Sequence, residues 1–309
     1  MITSQPTDGR ATPVRFGAVE AGGTKFVCLL GSSPADITAS TRIPTRDPAS
    51  TLAEVIAFFA AEPAPAAIGV GSFGPVELRR DHPQYGFITA SPKPGWRDVD
   101  VVGALRGALG VPVGLHTDVA GAALGEGRWG AARGLDTYVY MTVGTGVGAA
   151  AVVDGRLPTG LGHPEMGHMS VPRQPGDDFP GRCPFHGDCL EGMAAGPAVA
   201  ARFGRPGEQL DGDDLRRAVE WEAGYLAEAV RTVVYALAPQ RVVIGGSVPQ
   251  LPGLFPRLRS RLGEVMAGYG ALPEHGADDF VVPAGLGGMA GPAGALLLAE
   301  LALAEAPTA

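Results

Sequence analysis

The sequence predicts an α/β protein built as two related lobes, and three observations predict it. Apolar runs of strand length alternate with helix-length amphipathic stretches along the 309 residues. A strand, glycine turn, strand unit opens the chain as "VRFGAVE", "AGGTK", "FVCLLG", and the same form returns as "TYVYMTV", "GTG", "VGAAAVVDG". Each copy is followed by further strands and helices, which implies an internal duplication with its boundary near residue 120. With 45% apolar residues the chain can fill two cores of ordinary size.

In order, the first hairpin is followed by a third strand, "ITASTRIPT", a helix over 48–61 and a buried strand, "AAIGVGS". A Pro/Gly-rich loop, a helix over 99–109, the strand "VPVGLHTD" and the helical "VAGAALGEGRWG" complete the first half. Beyond the second hairpin lie a thiol-bearing loop, helices over 192–203 and 213–237, the buried strand "RVVIGG", a helix over 251–266 and the terminal helix "GPAGALLLAELALAEA". The expected division is a loose leader (1–15), an N-terminal lobe (16–120), a C-terminal lobe (121–288) holding a metal loop at about 163–191, and a terminal helix (289–309) that packs back on the N-terminal lobe.

A formal charge of −8 with no basic cluster argues against a nucleic-acid or anionic-membrane partner. An anionic ligand must then be held locally, by backbone amides, a helix terminus or a metal ion. The first fifteen residues lack the apolar stretch of a secretory signal, and the terminal helix carries Glu300 and Glu305 within fewer than the ~20 apolar residues that span a bilayer. A cytoplasmic location is expected. The chain has two lysines, Lys25 and Lys93, twenty-two arginines and no asparagine, a compositional bias that says little about function.

"GVGSFG" at 69–74 fits the dinucleotide pattern G-x-G-x-x-G, but Pro75 follows at once, no helix begins there, and no acidic ribose ligand stands about twenty residues on. The glycine hairpins are better phosphate sites. Gly22 and Gly23 expose consecutive N–H groups at a turn, with Thr24 and Lys25 adding a hydroxyl and a cation, and "GTGVG" (Gly144, Thr145, Gly146, Val147, Gly148) offers the same from the other half. Either alone reads as a hairpin turn; two facing each other across a cleft can grip a polyphosphate. Gly245 and Gly246 in "IGGSV" supply a third glycine pair where an adenine or ribose can lie near backbone. Asp118, between a strand and a helix, reads by itself as an N-cap; beside phosphate loops it is placed to take the proton of a hydroxyl attacking a γ-phosphate.

In a chain expected to be cytoplasmic, "CPFHGDCLEG" argues for metal before disulfide. Cys183, His186 and Cys189 form a compact trio and His168 completes a tetrahedron, with His163 as the rival fourth ligand; such a closed set suits structural zinc. Cys28, alone in a strand, reads as a core thiol. Glu191 follows closely on the last cysteine and Glu165 precedes His168 by three residues. A rigid metal loop would aim both carboxylates at one point, as a neutral polyhydroxyl ligand requires.

"EAGGTK", "TDVAGAALGE", "TVGTGVG", "GHPEMGH", "CPFHGDCLEGMAAGP" and "IGGSV" resemble, in order and along nearly the whole chain, the ROK family of bacterial sugar kinases and repressors, with "GSFGPVEL", "SPKPGW" and the Cys-x₂-His-x₂-Cys loop most similar to its fructokinase branch. The resemblance implies a duplicated actin-like (RNase-H-like, ASKHA) fold with a zinc loop in the second lobe, and transfer of the ATP γ-phosphate to a hexose with Mg2+ as cofactor. Carried over by position, Asp118 matches the catalytic base. Ala18, Val19, Glu20, Ala21, Gly22, Gly23, Thr24 and Lys25, with the "GTGVG" loop and Gly245–Gly246, match the ATP site. Ser72, Gly74, Thr117, Asp118, Glu165, His168 and Glu191 match the sugar side, and His168, Cys183, His186 and Cys189 match the zinc ligands. Departures are Glu20 where much of the family has Asp, Thr117 and Ala120 where asparagines are common, and His186 in place of a thiol. The resemblance implies a homodimer and a fructokinase, with glucokinase, mannokinase and N-acetylhexosamine kinase as alternatives within the family. A non-catalytic sugar-binding protein or repressor is the alternative of another class, disfavoured by the short segment ahead of the first hairpin and by retention of Asp118 and both phosphate loops.

Overall fold

The computed structural model describes residues 14–306, so the expected leader lies, but for Val14 and Arg15, outside the described residues. The first sheet begins with the hairpin of β1 (Phe16–Ala21) and β2 (Lys25–Ser33), to which β3 (Asp36–Pro44) adds antiparallel. Helix α1 (Pro48–Ala60) starts at an Asp47 side chain that accepts from Ser50 N, with proline in the first turn where no N–H is missed. Strand β4 (Ile68–Ser72), the short ribbon β5 (Phe87–Ile88) and β6 (Val99–Asp100), helix α2 (Val101–Leu109) and strand β7 (Val113–Thr117) follow. The sheet order is β3-β2-β1-β4-β7, with β1, β4 and β7 parallel.

Helix α3 (Asp118–Trp129) leads into the second hairpin, β8 (Tyr138–Val143) and β9 (Val147–Val152). Next come the short helix α4 (Leu190–Ala194), then α5 (Gly196–Phe203), α6 (Gly212–Leu237), β10 (Val242–Gly245), α7 (Leu254–Met266), β11 (Val281–Pro283) and α8 (Ala290–Ala304). The second sheet, β11-β10-β8-β9, repeats the plan of the first: an antiparallel hairpin whose first strand continues into parallel neighbours. The duplication is therefore topological, with β3 as the first lobe's addition.

One expected element divides. The single helix over 192–203 is two, because Ala195 is extended (ψ 152°) and Pro197 restarts the helix in its first turn. Proline lacks the N–H that a continuous helix would need there.

Each sheet has its own core, Phe26, Phe59 and Trp96 anchoring the first and Met141, Leu190 and Tyr225 the second. Helices α3 and α8 cross between the sheets. Helix α3 lies on β8 and β9, and α8 lies on β1, β4 and β7. Their backbones touch where a Cβ on Gly294 would collide with the Gly121 carbonyl, so small residues set the crossing distance. The 18-residue apolar stretch Gly287–Ala304 passes a length and hydropathy test for membrane crossing, but its helix is packed between the first sheet and α3. A helix apolar on all sides suits such a buried position.

Candidate active site

The catalytic candidate sits where β7 hands over to α3. The N-cap there is Thr117, whose Oγ1 accepts from Ala120 N at 3.2 Å, so the capping role considered for Asp118 falls to its neighbour. Asp118 becomes the first helical residue. Its Oδ1 accepts from Val119 N at 2.8 Å. Burial pushes its pKa up to about 6 against that hydrogen bond, and the charge of Glu165 adds to the rise. Glu20, at the end of β1, is pushed up to about 7 by burial and then by Asp118, with Lys25 and Arg42 pulling the other way.

Both carboxyls line one cavity of about 450 Å³ that also touches Thr142, Gly245, Gly246 and Gly291. A second cavity of about 540 Å³ runs on past Thr145, Pro197, Val199 and Leu251, and Ser247 and Gln250 line both, so the two form one cleft. Gly246 needs its glycine: its φ is 102°, and a Cβ would strike the Val143 carbonyl. The second hairpin turn lines this cleft through Gly144 and Thr145, the first follows Glu20, which lines it, and the two turns have different fastenings. In the first, Thr45 Oγ1 donates to Gly22 O at 2.7 Å and Lys93 Nζ to Gly23 O at 2.6 Å, while nothing lies within 4 Å of a Cβ built on Gly23. Of the remaining first-hairpin candidates, Ala18, Val19 and Ala21 are buried strand residues, and Thr24 and Lys25 are exposed at the turn. In the second, Val147 N donates to Glu191 Oε2 at 3.1 Å, Gly196 N donates to Gly144 O at 2.7 Å, and Gly148 is a half-buried strand residue.

The thiol loop brings its four candidate ligands together. His168 Nδ1 lies 3.7 Å from Cys183 Sγ and 3.5 Å from Cys189 Sγ, and His186 Nδ1 lies 3.7 Å from Cys183 Sγ; all four ligand atoms fall within 4.8 Å of one another. Bonds of about 2.3 Å to sulfur and about 2.0–2.1 Å to nitrogen in a tetrahedron set S and N about 3.6 Å apart, close to the three S···N distances here, so the donor set suits zinc. A tight turn closed by Cys183 N to Gly187 O (3.1 Å) and Gly187 N to Cys183 O (3.0 Å) presents the first ligands. His163, the rival ligand, is elsewhere: its Nε2 accepts from Val76 N at 3.1 Å and its Nδ1 lies 3.4 Å from Glu165 Oε1.

The remaining sugar-side candidates divide. Glu165 lies near enough to Asp118 to raise its pKa. Gly74 packs under His163, where a Cβ would stand only 3.4 Å from the ring. Ser72 is fully buried and its hydroxyl donates to Phe73 O at 2.9 Å, and the Thr117 hydroxyl is taken by the cap, so these two shape the loops around the cleft. Glu191 is tied to the second hairpin. The loop "SPKPGW" is anchored by Trp96, fully buried against Phe26 and Phe73, whose Nε1 donates to Arg46 O at 2.8 Å.

Sequence reasoning missed two parts of the site. Pro197, Val199, Leu210 and Leu251 form the apolar end of the cleft, and on a sequence they read as core; the Gly-Pro start of α5 was the available signal. Glu126 is buried and accepts from Ala131 N (2.6 Å), Gly285 N (3.0 Å) and Leu286 N (2.8 Å), tying α3 to the loop that floors the first cavity.

Comparison with known proteins agrees with this geometry. A model of the ROK family matches residues 16–302. The chain is 43% identical to a fructokinase of Pediococcus pentosaceus, covering 94% of this chain and 99% of that one. It is 42% identical to a fructokinase of Zymomonas mobilis, covering 92% and 96%. Among solved structures, the ROK hexokinase of Thermus thermophilus superposes with a TM-score of 0.75 at 28% identity, over 94% of this chain and all of that one.

Proposed function

The chain belongs to the ROK family, and we propose that within it the protein is an ATP-dependent fructokinase, passing the γ-phosphoryl group of ATP to the C6 hydroxyl of D-fructose. It is a sugar kinase of the same kind as its near full-length relatives. The observation that carries the reading is the Asp118 carboxyl: half-buried, its pKa pushed up to about 6, and set at a strand-to-helix junction on a cleft lined by glycines.

In this reading ATP lies along the joined cavities, its base at the apolar end beside Pro197 and Leu251 and its phosphates at Gly245, Gly246 and the first hairpin. The amides of Gly23 and Thr24, with Lys25, hold the terminal phosphates. Glu165, His168 and Glu191 hold the sugar hydroxyls. Asp118 accepts the C6 hydroxyl proton as that oxygen forms its bond to Pγ and the bond from Pγ to the β-bridging oxygen breaks, releasing ADP. A pKa near 6 leaves Asp118 ionised at neutral pH yet more basic than an ordinary carboxylate.

Glu20, a half-buried carboxyl with raised proton affinity on the same cavity as Asp118, is the acid suited to a hard cation. Mg2+ held there would supply charge neutralisation for the phosphates and leave Asp118 free to act as the base. His168, Cys183, His186 and Cys189 would hold zinc, which stiffens the loop carrying Glu165 and Glu191; with His168 Nδ1 turned to the sulfurs, its Nε2 is left for the sugar. A homodimer in the cytoplasm belongs to the same proposal. The test is the identity of the product: with Mg-ATP and fructose, phosphorus NMR should find fructose 6-phosphate, and fructose 1-phosphate or ATP hydrolysis alone would overturn the reading.

A further inference from the structure

His163 takes no part in the zinc group or in the phosphoryl transfer. It is not among the four clustered ligands, yet its side chain is only 7% exposed and touches both halves of the molecule. Its Nε2 accepts a hydrogen bond from Val76 N, 87 positions earlier, on the loop that follows β4. Accepting there leaves Nε2 without a proton, so the neutral ring carries its proton on Nδ1, the atom that faces Glu165 Oε1 at 3.4 Å. Gly74 lies beside the ring, where a Cβ would stand 3.4 Å from Cε1 and 3.5 Å from Nε2, in ordinary contact.

We propose that His163 is a positioning residue for the sugar: it clamps the Gly74–Val76 loop of the first lobe to Glu165 of the second and fixes the direction in which the Glu165 carboxylate is presented. The inference rests on the fructokinase reading, because Glu165 is a sugar ligand only within it. Two consequences follow from the geometry. The Val76 N–H would be left unpaired if the ring were lost, and the half-exposed Glu165 carboxylate would lose the neighbour its Oε1 faces. A sugar whose acceptor hydroxyl must meet Asp118 depends on both walls being in register, since misplacement by about 1 Å can cost ~10²-fold in rate. His163 thereby couples the loop that borders the sugar on one side to the acid that borders it on the other. His116 is pushed down to about 4 by burial and then by the nearby His163.

The two contacts can be cut separately. His163→Gln can place an amide oxygen where Nε2 stood and keep the bond from Val76 N while losing the donor to Glu165; His163→Asn can keep a donor at the Nδ1 position while losing the acceptor. The experiment is steady-state kinetics on both variants and the wild type, with zinc content and melting temperature measured on each. The expected result is a fructose KM raised about 10-fold or more in each, from loss of the Val76 N hydrogen bond in one and of the group facing the Glu165 carboxylate in the other. The KM for ATP, the zinc content and the melting temperature should stay near wild type. His163→Ala, losing both contacts, should lower kcat as well. Wild-type fructose kinetics in both single-contact variants would overturn this proposal and leave the fructokinase reading standing. Loss of zinc or of melting temperature in proportion to the kinetic defect would make His163 a structural member of the metal loop and overturn it also. Absence of sugar phosphorylation by the wild type would overturn the functional reading and this inference together.

Discussion

The two hairpin turns occupy matching places in the two sheets and are fastened differently. In the turn after β1, the carbonyls of Gly22 and Gly23 are held by Thr45 and Lys93 of their own lobe, and the space over Gly23 is open. In the turn after β8, the Val147 amide is already bonded to Glu191 and a Cβ on Gly146 would lie 2.7 Å from that carboxylate. In the first turn the Gly22 amide is taken by Lys25 O at 3.0 Å, while the amides of Gly23 and Thr24 have no partner among the described residues. The second turn is tied through Glu191, two residues beyond Cys189, to the loop of clustered Cys and His side chains. Duplication of the backbone plan has therefore come with different fastenings.

Asp118 belongs to neither turn, and its loss sets the scale against which both are measured. Asp118→Asn keeps the size of the side chain and the acceptor for Val119 N, so melting and ATP affinity should stay near wild type. Turnover measured by coupled assay should fall about 10²–10⁴-fold, the worth of a positioned base. The next largest effect is expected at the metal loop. Cys183→Ser should release zinc, read by elemental mass spectrometry, lower the melting temperature and raise the KM for sugar, because the backbone pairing of residue 183 with Gly187 spans too few bonds to hold the loop by itself. If zinc-free enzyme kept wild-type sugar affinity, the link from metal to second hairpin would be wrong.

A pH experiment separates Glu20 from the turns. Its pKa rises from 4.5 unfolded to about 7 folded, so the folded state holds this proton more tightly. Its contribution to stability is full below pH 4.5 and is lost as pH rises through 7. Melting curves of the metal-free, ligand-free protein should therefore show Glu20→Gln gaining stability over wild type as pH climbs across this range, with the gain shrinking when Mg2+ is added. A constant difference at all pH values would mean that Glu20 is not held in this way.

The smallest effects discriminate best between the two turns. Gly23→Ala meets nothing within 4 Å and should change stability by no more than about 0.5 kcal/mol, yet raise the KM for ATP if that space receives phosphate. Gly22→Ala would place a Cβ 2.8 Å from Lys25 O and should cost roughly 1–3 kcal/mol in chemical denaturation. Equal, small effects of both on ATP would reduce the first turn to a plain hairpin.

Much of this was legible in the sequence, and the exceptions have physical reasons. Both hairpins, the parallel strands and the long helices follow from apolar runs between glycine turns, which are local signals. The break between α4 and α5 is also local, yet Pro197 serves equally well in the first turn of one helix or after a short one, and only the extended Ala195 decides. Thr117 and Asp118 are both good caps in adjacent positions, so the register of α3, and with it the freedom of the Asp118 carboxyl, had to come from the structure. The Cys and His group was readable because its members cluster in sequence. His163 was not separable from His168 by spacing, since what distinguishes it is a backbone amide in the other lobe. The apolar end of the nucleotide cleft was hidden for a related reason: a residue that will face an adenine carries the same signature as one that faces a core.

The assignment of the cleft stands or falls on initial rates of Mg-ATP-dependent phosphorylation of fructose, mannose, glucose and N-acetylated hexosamines, side by side at one concentration. Fructose should run well ahead of the others. Glucose or a hexosamine ahead would contradict the assigned substrate, and no turnover on any of them would contradict the assignment of this cleft to phosphoryl transfer.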